Sequence, residues 1–93
     1  LDPAAVADIA RRTLAEARGA RRAKIHACAE DAANLEARRG ELGLAAEHVQ
    51  VAVDPDLPRG SLRVETDLGS LDASLTVQLE RLAAAIRDAL VRS

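Results

Sequence analysis

Phenylalanine, tyrosine, tryptophan and methionine are all missing from the 93 residues. Without aromatic rings there is no platform for stacking single-stranded bases, no cage for a quaternary ammonium, and none of the Trp or Tyr anchors that dominate many protein interfaces. Cysteine is nearly absent as well. Cys28 stands alone, so no internal disulfide can form, and the composition suits a reducing, cytoplasmic setting. No apolar run approaches the ~20 residues of a membrane-spanning helix. No signal peptide is visible, and a chain that begins at Leu1 and not Met is expected to be part of a longer protein. An excess of either charge is also lacking: 13 basic residues stand against 15 acidic ones, for a net charge of −2. That balance argues against the basic footprint of a nucleic-acid binder.

What is present is mostly alanine and leucine. Of the apolar set, 21 residues are Ala, 13 Leu, 7 Val, 3 Ile and 1 Cys. Leu, Ile and Val reach 23 of 93 residues, above the level at which disorder is expected. The chain should fold as one domain with a thin core.

Asp2-Pro3 opens a first helix, with an acidic N-cap and proline at the first helical position. Val6, Ile9, Ala10, Thr13, Leu14 and Ala17 form its apolar stripe, and Gly19 supplies a C-terminal stop. Ala23 to Cys28 alternates as a short strand, with His26 and Cys28 on one face. Asp31 is expected to cap a second helix that runs to about Leu42 and stops at Gly43. His48 to Val53 reads as a half-buried strand, with Val49, Val51 and Val53 inward. The segment 54–60, with two prolines and a glycine, is a turn-forming loop. Leu62, Val64, Thr66 and Leu68 mark another strand. Gly69-Ser70 then reads as a tight turn into a short extended Leu71-Asp72-Ala73. Ser74 can cap a final helix in which Leu75, Leu79, Leu82, Ile86 and Leu90 recur at steps of four and three. The fold class is therefore α+β: a small, mostly antiparallel sheet of three to four strands with helices packed against it, in the order α-β-α-β-β-(β)-α. Strand, helix, strand at the start permits one right-handed crossover.

A search for chemistry returns little. His26, Cys28 and His48 could supply at most three metal ligands, without the paired spacing of a zinc site. Asp54 and Asp56 flank Pro55 and read as turn residues that cap their own backbone. The five glycines are dispersed singly, so no phosphate cradle forms. Ser61, Ser70 and Ser74 have no histidine beside them in sequence. The clusters Arg11-Arg12 and Arg18, Arg21, Arg22, Lys24 read as a solvated helix end and turn. The chain is read as a non-enzyme with no catalytic, cofactor-binding or metal-binding residues and no cofactor. The last helix's five-residue stripe is expected to serve this domain's own core, since each buried leucine contributes about 2 kcal/mol. Leu57, Leu68, Val77 and Val91 remain as candidate partner contacts.

One stretch carries a resemblance. The run Val53-Asp54-Pro55-Asp56-Leu57-Pro58-Arg59-Gly60, then Leu62 to Leu75, then Gln78-Leu79-Glu80-Arg81-Leu82, resembles the C-terminal signature of the peripheral-stalk regulators of type III secretion. These serve flagellar export and the virulence injectisome and are similar to peripheral-stalk subunits of rotary ATPases; the balance here is toward the injectisome branch. Glu65, Gly69, Asp72, Ala73, Ser74, Gln78 and Leu79 are the motif positions. The family's usual His-Pro-Glu-Asp appears as His26-Ala27-Cys28-Ala29-Glu30-Asp31, without its proline. The resemblance implies a single C-terminal globular domain over 1–93, with a coiled coil upstream. It also implies a cytoplasmic homodimer, peripheral to the inner membrane at the secretion apparatus. Such a protein binds and regulates the secretion ATPase through that enzyme's N-terminal region. As a stator it links the ATPase to the sorting platform or C-ring protein through its own missing N-terminal part. The alternatives are a rotary-ATPase stalk subunit without regulatory role and, in another class, a small metal-responsive domain using His26, Cys28 and His48.

Overall fold

A computed structural model describes residues 2–92, with the backbone alone described for 74–79. The elements are α1 (Pro3–Glu16), β1 (Ala23–Ala27), α2 (Ala29–Ala37), β2 (Val49–Val53), β3 (Ser61–Thr66), β4 (Gly69–Ser74) and α3 (Leu75–Arg92), with single 3₁₀ turns at Arg39–Glu41 and Ala46–His48. The expected α+β class and element order hold. The sheet order is β2-β1-β3-β4. β1 and β2 run parallel, joined through α2, while the β1–β3 and β3–β4 pairs are antiparallel.

Local chemistry explains most of the boundaries. Asp2 caps α1 by accepting from the Ala4 N–H at 3.0 Å, and Pro3 occupies a position that needs no N–H donor. The helix ends at Glu16, and the turn beyond it places Gly19 at φ 85, a conformation open to glycine at little cost. β3 and β4 meet in a two-residue turn at Asp67-Leu68, since Thr66 pairs with Gly69. The expected Gly69-Ser70 turn is thus displaced: Gly69 opens β4 at φ 138, and Leu68 leaves the strand. The Thr66 hydroxyl holds this turn, accepting from the Leu68 N–H at 3.0 Å and donating to the Gly69 carbonyl at 2.9 Å.

α2 is shorter than the sequence suggests, ending at Ala37 and not near Leu42. Gly40 disfavours continued helix by about 1 kcal/mol relative to alanine, and a 3₁₀ turn replaces the last coil. Leu35 and Leu42 are nonetheless both fully buried. Arg39 follows the shortened helix and donates to the Val49 carbonyl of edge strand β2 at 3.2 Å. Strand β2 starts at Val49, with His48 in the preceding 3₁₀ turn. Val49 is buried and Val51 half-buried, but Val53 is 59% exposed, because it lies at the end of an edge strand whose only neighbour is β1.

One face of the sheet forms the core. Ala23, Ile25 and Ala27 of β1, Val49 of β2, Leu62 and Val64 of β3 and Ala73 of β4 point into it. α1 lies over β3 and β4, α2 over β1 and β2, and the two helices touch each other. α1 contributes Val6, Ala7, Ile9, Ala10 and Leu14. Its buried Thr13 satisfies its hydroxyl by donating to the Ile9 carbonyl at 2.8 Å.

The other buried polar residue, Asp31, overturns its expected role. Helix α2 begins at Ala29, with Cys28 at the cap making no side-chain bond. Asp31 sits inside the first turn, fully buried, and aims across to the 54–60 loop. Its Oδ2 accepts the Gly60 N–H at 2.7 Å, and its Oδ1 lies 3.3 Å from Arg59 Nε. Arg59 also pairs with Glu30 at 2.6 Å. A buried carboxylate persists only when paired and hydrogen-bonded, and this one is both.

α3 departs most from expectation. Three of its five stripe residues lie outside the core: Leu82 is 57% exposed, Ile86 53% and Leu90 72%. Leu75 and Leu79 fall outside the described side chains. The helix touches β4, and Arg81 pairs with Glu16 at the end of α1.

Leu35→Ala should therefore cost about 2–5 kcal/mol, whereas Leu82→Ala should stay within about 0.5 kcal/mol. Paired denaturant titrations check the contrast, and equal losses would place Leu82 in the core after all. Asp31→Ala should lose about 1–3 kcal/mol, because the buried Gly60 N–H is left without its acceptor.

Candidate functional site

Two surfaces were examined for function: the uncovered face of the sheet and the exposed side of α3. On the uncovered face, strand alternation presents Lys24 and His26 from β1, Gln50 from β2 and Arg63 and Glu65 from β3. Registration places Lys24 beside both Glu65 and Gln50, and His26 beside Arg63. A depression of about 520 Å³ opens at one end of this face and is bounded by Arg22, Lys24, His48, Gln50, Glu65 and Asp67. Opposite charges alternate around its rim, so no single sign of ligand is selected.

His26 Nε2 lies 3.2 Å from Glu65 Oε2. No well-aligned hydrogen bond reaches the buried Nε2 atom, so its polar contact is this close approach to the carboxylate. The hydrogen-bonding approach of His26 holds Glu65 below the usual carboxylate range. Desolvation opposes this, and the positive fields of His26, Arg63 and Lys24 add to it. Around this pair lie Lys24 and Arg63, with Ser70 of β4 in register beside Glu65.

The possible metal ligands do not assemble. His26 faces outward from β1, Cys28 lies just beyond that strand as a free, half-exposed thiol, and His48 is exposed at the end of its 3₁₀ turn. Among the described residues no three His, Cys, Asp or Glu side chains converge on a point. Asp54 behaves as the turn residue expected, accepting the Asp56 N–H at 3.0 Å, and its carboxylate faces Arg63 at 3.7 Å.

The proposed contact residues scatter. Leu57 is half-buried in the loop before β3, whereas Leu68 is 61% exposed in the turn after it, so β3 separates the two. Val91 is 81% exposed near the end of α3; Val77 lies outside the described side chains. Of the motif positions, Glu65 faces outward against His26, Gly69 supplies the positive φ that opens β4, Ala73 is buried and Asp72 stands beside Arg63. The side chains of Ser74, Gln78 and Leu79 lie outside the description. The α3 surface was missed in the sequence because an apolar stripe reports one greasy face but not what covers it. Asp31 carried no signal either, since an acidic residue at a helix start reads as a cap.

Asp67 fixes the α1–β1 turn. Its Oδ1 accepts the N–H of Arg21 at 2.9 Å and of Arg22 at 3.3 Å. These backbone bonds, Arg21's first, hold its carboxyl below the usual range against desolvation, with the Arg21 charge assisting. A carboxyl depressed in the folded state stabilises above its ordinary value and loses that contribution as pH falls through the lower, folded one. Asp67→Asn should therefore be less stable than the parent at neutral pH, and the gap should narrow as pH drops below about 4. Thermal melts across that range check this; a pH-independent gap would contradict it.

No match to a curated protein was found. A family model described as flagellar assembly protein FliH matches residues 1–82. That description is flagellar, and the virulence branch is not carried further. No helix among the described residues is long and apolar enough to cross a membrane. With 82 of the 93 residues matched, and with the His-x-Cys-x-Glu-Asp and Glu-Thr-Asp-Leu-Gly segments set in one α+β sheet, the chain belongs to the flagellar assembly protein FliH family.

Proposed function

We propose that this chain is a non-catalytic binding domain that docks onto the ATPase of a type III export apparatus and regulates it. The observation that carries this reading is the outward apolar side of α3, where Leu82 and Ile86 are each more than half exposed at a four-residue spacing. Residues i and i+4 lie one above the other on a helix. A helix offering such a row is suited to a hydrophobic groove or a second helix. Covering one such leucine would contribute on the order of 1–2 kcal/mol. Nothing reactive is needed on this side of the contact, which agrees with the mixed charges of the open sheet face.

The family supports the finer parts of the reading. The partner surface would be the N-terminal region of the ATPase. Regulation would act by holding that enzyme in one of its states, which requires contacts that differ between them. In the full protein the chain would be the C-terminal domain of a cytoplasmic homodimeric stator, peripheral at the export apparatus. Upstream segments would reach the C-ring side of the assembly.

Calorimetric titration of the chain with the N-terminal region of its cognate export ATPase should show binding. The double variant Leu82→Ala, Ile86→Ala should weaken it at least tenfold while leaving the melting temperature within a few degrees. Full-length protein that fails to co-purify with the ATPase would overturn the proposal. A double variant that binds like the parent would remove α3 as the contact.

A further inference from the structure

Arginine is usually neutralised in this domain. Of the twelve arginines, eight sit within 4.0 Å of a carboxylate: Arg11 and Arg12 with Asp8, Arg38 with Glu41, Arg39 with Glu36, Arg59 with Glu30 and Asp31, Arg63 with Asp54, Arg81 with Glu16 and Arg92 with Asp88. Of the four that form no such pair among the described residues, Arg87 is on α3. The other three, Arg18, Arg21 and Arg22, occupy one five-residue turn between α1 and β1, and all three are exposed.

The turn that carries them is fixed. Asp67 accepts the backbone N–H groups of Arg21 and Arg22, and among the described residues no carboxylate oxygen lies within 4.0 Å of the Arg18, Arg21 or Arg22 guanidinium nitrogens. Gly19 sits at φ 85 between them and Arg18, and a β-carbon there would rest against Leu68 at 3.9 Å. Holding three like charges on a rigid turn is unfavourable unless something outside the domain meets them.

The ground beside the turn is concave, with apolar patches in it. Arg18 borders two depressions. One, of about 370 Å³, is lined by Ala17, Leu68 and Leu71, with Glu16, Thr66 and Ser70 at its polar side. The other, of about 340 Å³, is floored by Leu14, Ala20 and Leu44. A guanidinium between two greasy seats matches a chain segment in which an acidic residue is flanked by apolar ones.

We propose that the α1–β1 turn is a docking site for an acidic, leucine-containing segment of a partner protein, with Arg18 between the two apolar seats and Arg21 and Arg22 extending the positive charge. An anionic bilayer would fit the charge but not the shape, because a lipid surface cannot send side chains into depressions on either side of one arginine. Apart from these three arginines the chain has 10 basic residues against 15 acidic, a body that a negatively charged plane would repel. The site is separate from the α3 surface and does not depend on it.

The test uses a short synthetic peptide with two leucines separated by glutamates, its glutamine counterpart, and phosphatidylglycerol vesicles, each titrated against the 93-residue chain. The glutamate peptide should bind, and binding should weaken as salt shortens the screening length well below ~10 Å. Arg18→Gln, Arg21→Gln, Arg22→Gln in one chain should weaken it roughly tenfold, the effect of three partly exposed ion pairs together. Arg38→Gln, Arg87→Gln, Arg92→Gln, which removes the same net charge elsewhere, should leave it intact. So should Leu82→Ala, Ile86→Ala, which separates this site from the ATPase contact. Equal loss in both arginine triples, equal binding of the glutamine peptide, preference for the vesicles, or no binding by the parent would each overturn the proposal.

Discussion

Ile25 is where the two ladders of the sheet cross. It pairs with Val51 in parallel and with Val64 in antiparallel register, and it is fully buried. A side chain at that position must be large, since its β1 neighbours on the same face are only Ala23 and Ala27. Everything else is arranged around this single isoleucine on the central strand. α1 and α2 seal its face with Val6, Leu14 and Leu35, joined by Leu42 after the 3₁₀ turn, in place of the aromatics the chain lacks. Small side chains admit two helices close to the sheet, and they leave little further apolar surface to cover.

The parts of the fold that were legible in the sequence are those set by local chemistry. The start of α1 follows from one carboxylate and one proline, and the inward faces of β1 and β3 follow from alternation. The segment 54–60 announces its turn through proline and glycine. What was hidden depends on contacts far apart in sequence. Glycine-serine is a good turn pair, yet the register of β3 on β4 moved the turn to Asp67-Leu68, where the Thr66 hydroxyl could hold it. Asp31 finds its partners 28 and 29 residues away, and no window of sequence contains that pairing.

The functional surfaces were hidden in a different way. The heptad-like stripe of α3 was visible, but periodicity is the same for a helix that closes a core and for one that meets a partner. Burial alone separates the two. The basic turn was likewise visible, and it reads as ordinary solvated charge until the remaining arginines are seen to be paired. Three arginines are conspicuous only against eight that have carboxylates beside them.

The bond from Arg39 to the Val49 carbonyl has a bearing on how such domains live together. β2 is an outer strand, and a bare outer strand is a template on which another chain can add itself. Here a guanidinium occupies one of its carbonyls, and Asp54-Pro55 follows directly after its last residue. A charged side chain over a strand rim, followed at once by a residue that cannot donate, makes the rim a poor seed for growth. Copies of the domain can then meet without fusing into a shared sheet.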